Sequence, residues 1–125
     1  MNTIIFENKN HENRYNEYIE KMPSKDGFNK AYAYLLALIG HNPNDIYDFK
    51  NHRIITEGLG ACWQTTNTAR ATALLFSLTC NYNSENNCGT VYNIFGSNYW
   101  DKYYIEALKL YCHNSLSQHS FNIKI

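Results

Sequence analysis

The sequence predicts an α+β fold, a single compact domain over residues 1–125 in which about four helices dominate a small sheet. Three observations predict it. The apolar residues of the longer segments recur at helical spacing, i, i+3, i+4, i+7. The remaining apolar runs are short, β-type and bounded by turn residues. At 125 residues and 44% apolar, the chain is long enough to bury one core without disulfides or a metal.

Taken in order, Ile4-Ile5-Phe6 is a candidate short strand. Over residues 8–22, Tyr15, Tyr18, Ile19 and Met22 make one helical stripe, and Pro23 closes it by lacking an amide donor and restricting its predecessor. Ser24 or Asp26 can cap a second helix through a side-chain oxygen. Its face is Phe28, Ala31, Tyr32, Leu35, Leu38 and Ile39, and Gly40 suits its C-terminal end. Tyr34 and Leu36 are apolar as well, so this helix is expected to be the most central.

His41 to Asp45 reads as a turn cluster around Pro43, with Asp45 a candidate cap. Ile46-Tyr47-Asp48-Phe49 suits one helical turn and Arg53-Ile54-Ile55 a short strand. Gly58-Leu59-Gly60 is expected to be a flexible bend. Thr65, Thr66, Asn67 and Thr68 then offer N-caps for a helix reaching residue 81. Ala69, Thr72, Ala73, Phe76 and Cys80 form its stripe, and Leu74, Leu75 and Leu78 widen it. Residues 81–89 read as a surface loop and 91–95 as extended chain. Ser97 or Asn98 caps a last helix with Trp100, Tyr104, Ala107, Leu108 and Tyr111 on one face. Residues 121–125 alternate apolar and polar as a terminal strand does.

Charge and composition exclude several classes. Eleven basic and eleven acidic residues cancel, and no basic stripe exists to neutralise phosphates along duplex nucleic acid. No run of about 18 apolar residues suggests a membrane span. The first residues lack the basic and long apolar regions of a secretory signal. Four cysteines at wide, irregular spacings suit reduced thiols in the cytoplasm. None of the spacings matches a structural zinc site, so neither metal nor cofactor is expected.

The richest chemistry lies in residues 58–76. A helix N-terminus presents unpaired amides and favours anions. Thr65, Thr66 and Thr68 add hydroxyls, Gln64 an amide, Arg70 a cation and Trp63 a flat wall for stacking. Asp48 and Glu57 suit holding a ribose hydroxyl or pairing with Arg53 or Arg70. Together these are the ingredients of a site for a phosphate-bearing small molecule. The bland alternative is that the polar groups only cap the helix while Trp63 anchors it. Gly60-Ala61-Cys62-Trp63 also resembles the nucleophile segment of papain-like proteases, with His52, His113 or His119 as base and Asn114 or Asp101 as orienter. That match covers four residues only.

A wider likeness runs through Ile5-Phe6-Glu7-Asn8, His11-Glu12-Asn13-Arg14-Tyr15 and Ile46-Tyr47-Asp48-Phe49. It continues in Gly58, Trp63-Gln64-Thr65, Thr68, Arg70, Thr72 and Phe76, and in Tyr104-Ile105-Glu106-Ala107-Leu108-Lys109. In these the chain resembles a domain-of-unknown-function family of small proteins from phages and mobile elements of Gram-positive bacteria, with a Trp-Gln-Thr signature. A cysteine before the tryptophan is not part of that pattern, and no catalytic residue carries over. The resemblance implies a role in evading host defence. Two non-enzymatic mechanisms follow. One is sequestration of a nucleotide-derived immune signal by a homo-oligomer with pockets built around Trp63-Gln64-Thr65 and Arg70. The other is inhibition of a host effector, such as a CRISPR–Cas nuclease, through a tyrosine-rich surface. A small cysteine hydrolase using Cys62 is the third reading.

Overall fold

The computed structural model describes residues 3–80 and 100–119. Four helices and a two-stranded antiparallel sheet make up its regular structure: α1 (Lys9–Ile19), α2 (Gly27–Ile39), β1 (Tyr47–Asp48), β2 (Arg53–Ile54), α3 (Thr66–Cys80) and α4 (Asp101–His119). This is the α+β class that the periodicities predict. The readings of residues 81–99 and 121–125 lie outside the described residues.

Asn8 starts α1, its side-chain oxygen accepting from the His11 amide at 2.9 Å, as an N-cap should. Tyr15, Tyr18 and Ile19 face inward. The helix stops at Ile19, and the amides of Lys21 and Met22 close the last turn onto Tyr18 and Ile19. Asp26, not Ser24, caps α2, accepting from the Asn29 amide at 2.9 Å. At the far end Gly40 adopts φ 78°, the left-handed conformation that glycine tolerates. The Arg14 Nε donates to the Ala37 carbonyl at 2.8 Å, placing a cation on the negative end of the helix.

Helix α2 is the centre of the domain and packs against α1, α3 and α4. Residues 33–39 are all buried, so its inward faces leave no solvent stripe. Tyr34, Tyr104, Phe76, Leu35, Leu36 and Leu75 are the large side chains at the middle of the core. The Tyr104 hydroxyl donates to the Asn67 carbonyl at 3.0 Å and ties α4 to the first turn of α3.

Three expectations are corrected. Residues 4–6 form no strand; they lie against α1, α2 and α4, held by side chains. Residues 46–49 are not a helical turn. Tyr47 pairs with Ile54 and Asp48 with Arg53, and the Ile55 amide adds a bond to the Ile46 carbonyl at 2.7 Å. Two consecutive buried residues, Ile46 and Tyr47, suit either form locally, and the partner strand decides. Last, residues 58–60 are no flexible bend but part of a 3-10 turn, Thr56–Gly60.

Candidate functional site

Gly58 owes its identity to close approach. A Cβ there would lie 2.5 Å from the Asp45 carbonyl oxygen and 3.3 Å from the Ile46 Cα. The turn is thereby pressed onto the segment before β1, which carries Trp63 to His41. The two rings stack with centroids 3.8 Å apart and planes 7° from parallel. His41 Nε2 in turn meets Asp45 Oδ2 at 2.7 Å. One face of Trp63 is therefore covered, and the solvent side of the stack is His41, whose side chain stays 33% exposed.

Gln64 points back under the turn. Its Nε2 donates to the Gly58 carbonyl at 2.8 Å and to Thr72 Oγ1 at 3.1 Å. Thr72 gives its own proton to the Thr68 carbonyl at 2.8 Å, so both contacts are acceptors and the amide orientation is set. Gln64 Oε1 is buried without a hydrogen-bond partner among the described residues.

Thr65 and Thr68 cap α3 reciprocally. The Thr68 amide donates to Thr65 Oγ1 at 3.2 Å and the Thr65 amide to Thr68 Oγ1 at 2.7 Å, the logic of a capping box. Thr66 is exposed, and the amides of Thr66 and Asn67 precede the first intrahelical bond. Arg70 follows Thr66 by four residues and shares its helix face. Burial pushes the Tyr104 phenol well above its ordinary range, and the charge of Arg70 works against that rise while Asp101 adds to it. Arg70 has no carboxylate partner within ion-pair distance among the described residues.

Of the residues singled out in the sequence, the structure gathers Gln64, Thr65, Thr66 and Thr68 at one helix start, with Trp63 before it and Arg70 one turn beyond. Asp48 is elsewhere engaged. Its carboxylate accepts from the Lys50 and Asn51 amides at 3.0 and 3.2 Å and from Asn51 Nδ2 at 2.7 Å. Those bonds from Asn51, chiefly, hold it below the usual carboxylate range. It shapes the hairpin loop, in which His52 has φ 57°.

The sequence reading missed His41 and Asp45 as neighbours of Trp63. Their i, i+4 spacing across Pro43 was the only local signal. Cys62 is exposed, and no hydrogen bond joins it to a histidine among the described residues. No three His, Cys, Asp or Glu side chains among the described residues are grouped to hold a metal ion. No helix among them is long and apolar enough to cross a membrane.

Fold and site together define a small helix-dominated α+β protein with a polar, cation-bearing helix start beside a stacked ring pair. A model of the family of unknown function DUF6075 matches residues 1–123, and the chain belongs to that family. No curated protein and no solved structure matches it.

Proposed function

We propose that the protein is a non-enzymatic binder that sequesters a phosphate-bearing, nucleotide-derived signal, as a phage-type counter-defence protein does to blunt host immunity. The start of α3 carries the reading. Thr66 offers an exposed hydroxyl; among the described residues its amide and that of Asn67 meet no acceptor, and the Arg70 guanidinium, on the same face, has no carboxylate partner. Amides at a helix N-terminus with an adjacent cation suit a phosphate. The stack beside it offers a place for a base on the exposed side of His41, with Trp63 as its backing. Thr65, Thr68 and Gln64 hold this frame in shape.

Calorimetry with cyclic mononucleotides, cyclic dinucleotides and ADP-ribose-type ligands tests the reading. One class is expected to release heat, and Arg70→Ala is expected to weaken it about 10- to 100-fold, the effect of losing a charge-assisted hydrogen bond. Arg53→Ala, on the hairpin, should bind as the parent does. Absence of heat across the panel sinks the proposal. The bound ligand should be recovered unchanged after heat denaturation; a converted ligand would make the protein an enzyme.

The competing reading, occlusion of a host effector, draws on a tyrosine-rich surface. Among the described residues Tyr15, Tyr18, Tyr34, Tyr47, Tyr103 and Tyr104 are buried, and Tyr32 and Tyr111 are partly so. These rings build the core and its edge, which leaves the helix start as the better-supported site.

A further inference from the structure

The clearest feature outside the α3 site is the way residues 3–7 are attached. They contribute no strand to the sheet, and side chains of other elements bind their backbone. The Tyr34 hydroxyl donates to the Ile5 carbonyl at 2.5 Å. The Ile5 amide donates to Glu106 Oε2 at 3.3 Å, and the Glu7 amide to His11 Nδ1 at 3.0 Å. Trp100 Nε1 adds a bond to Glu7 Oε2 at 3.1 Å. Phe6 lies edge-on to the His11 ring at 5.1 Å, and His11 beneath it is fully buried.

His11 can hold this segment in one protonation state only. Its Nε2 faces the Tyr34 carbonyl at 3.1 Å, an acceptor, so Nε2 carries the hydrogen and Nδ1 is the bare acceptor for the Glu7 amide. In the imidazolium both nitrogens carry hydrogens, and the Nδ1 proton would point at the Glu7 N–H. The bond is lost, and a charge is left in an aromatic pocket. We propose that residues 3–7 form a strap over the His11–Tyr34 pair that proton uptake at His11 releases, while the helices beneath stay folded.

The charges around His11 do not rescue the imidazolium. Glu7 on the strap favours it, but its carboxylate is bonded to Trp100. Arg14 on α1 opposes it. Tyr34 on α2 is a neutral phenol, held far above its ordinary value by burial and by the nearby Glu106, Tyr103 and Glu7. On α4, the Tyr103 ring stands edge-on at 6.3 Å, and Glu106 faces the Ile5 amide. Burial prevails, and with Arg14 it outweighs the Tyr34 carbonyl and Glu7 to lower His11 from 6.5 to about 4. The sign follows from linkage. A freed His11 binds protons near pH 6.5 and the strapped one does so only near 4. Opening is therefore independent of pH above 6.5 and is favoured up to about tenfold per pH unit below it, one pKa unit being a factor of ten.

Amide hydrogen exchange by NMR tests this on the whole chain, comparing Ile5 and Glu7 with Leu36 of α2. Protection at the strap, corrected for intrinsic exchange, is expected to be flat above pH 6.5. Between there and about pH 5.5, above the ordinary carboxylate range, it should fall toward tenfold per unit, with Leu36 protection kept. Flat strap protection overturns the proposal, and so does loss at the strap and Leu36 together. Glu106→Gln keeps the acceptor and removes its titration; the slope should persist, and its disappearance would assign the switch to Glu106. His11→Gln should abolish the slope, and if that variant fails to fold, the wild-type and Glu106→Gln profiles decide.

Discussion

Tyr34→Ala is expected to lower the stability of the domain by about 3–5 kcal/mol, the range for emptying a buried aromatic site. The ring is fully buried and contacts Phe6, His11 and Tyr15. It sits on the central helix, where α1 and the N-terminal segment meet, so no single neighbour can move in to fill the space. Tyr34→Phe separates the packing from the hydroxyl. It should cost about 1–3 kcal/mol, because the Ile5 carbonyl loses its donor. Urea unfolding followed by circular dichroism reads both. A Tyr34→Ala midpoint close to that of the parent would mean that the core is not built around this ring.

Gly58→Ala should destabilise by about 2–3 kcal/mol, as overpacking against backbone does. The added methyl would meet the Asp45 carbonyl at 2.5 Å, and neither the 3-10 turn nor the segment before β1 has a side chain that can swing aside. Gly60→Ala makes the contrast. A Cβ there meets nothing within 4 Å, and its φ is not in the left-handed region. It is expected to be neutral or to stabilise by up to about 1 kcal/mol through the unfolded chain. Thermal melts of the two variants beside the parent check the pair. Equal effects at both glycines would show that the segment needs flexibility at Gly58, not closeness. Because the turn carries Trp63 to His41, Gly58→Ala should also disturb that stack, which the tryptophan fluorescence can report.

The helices were legible because their signals are local. Asp26 before Gly27, Gly40 after Ile39 and the apolar spacing of α2 each act within a few residues, and the structure has all of them. The start of α3 was readable for the same reason, since Thr65 and Thr68 cap each other across one turn. The hairpin was half visible: Arg53 and Ile54 suit a strand, but Tyr47 and Asp48 became one only through pairing. Asp48 looked available for a ligand because its turn bonds to Asn51 depend on that same hairpin.

His11 and Arg14 show the limit most plainly. By pattern they are two polar residues outside the apolar stripe of Tyr15, Tyr18, Ile19 and Met22, and in the structure one is buried between aromatic rings and the other caps α2. The Gly58 segment divides along the same line. Sequence alone determined the helix register, its caps and the place where a polar helix start meets a tryptophan. Tertiary structure decided that Gly58 is needed for contact with Asp45, that His41 covers Trp63, and that Gln64 ties the Gly58 carbonyl to Thr72. The reason is physical. Propensity and capping are settled over three or four residues, whereas burial, ring stacking and backbone contact depend on groups that only the folded chain brings together.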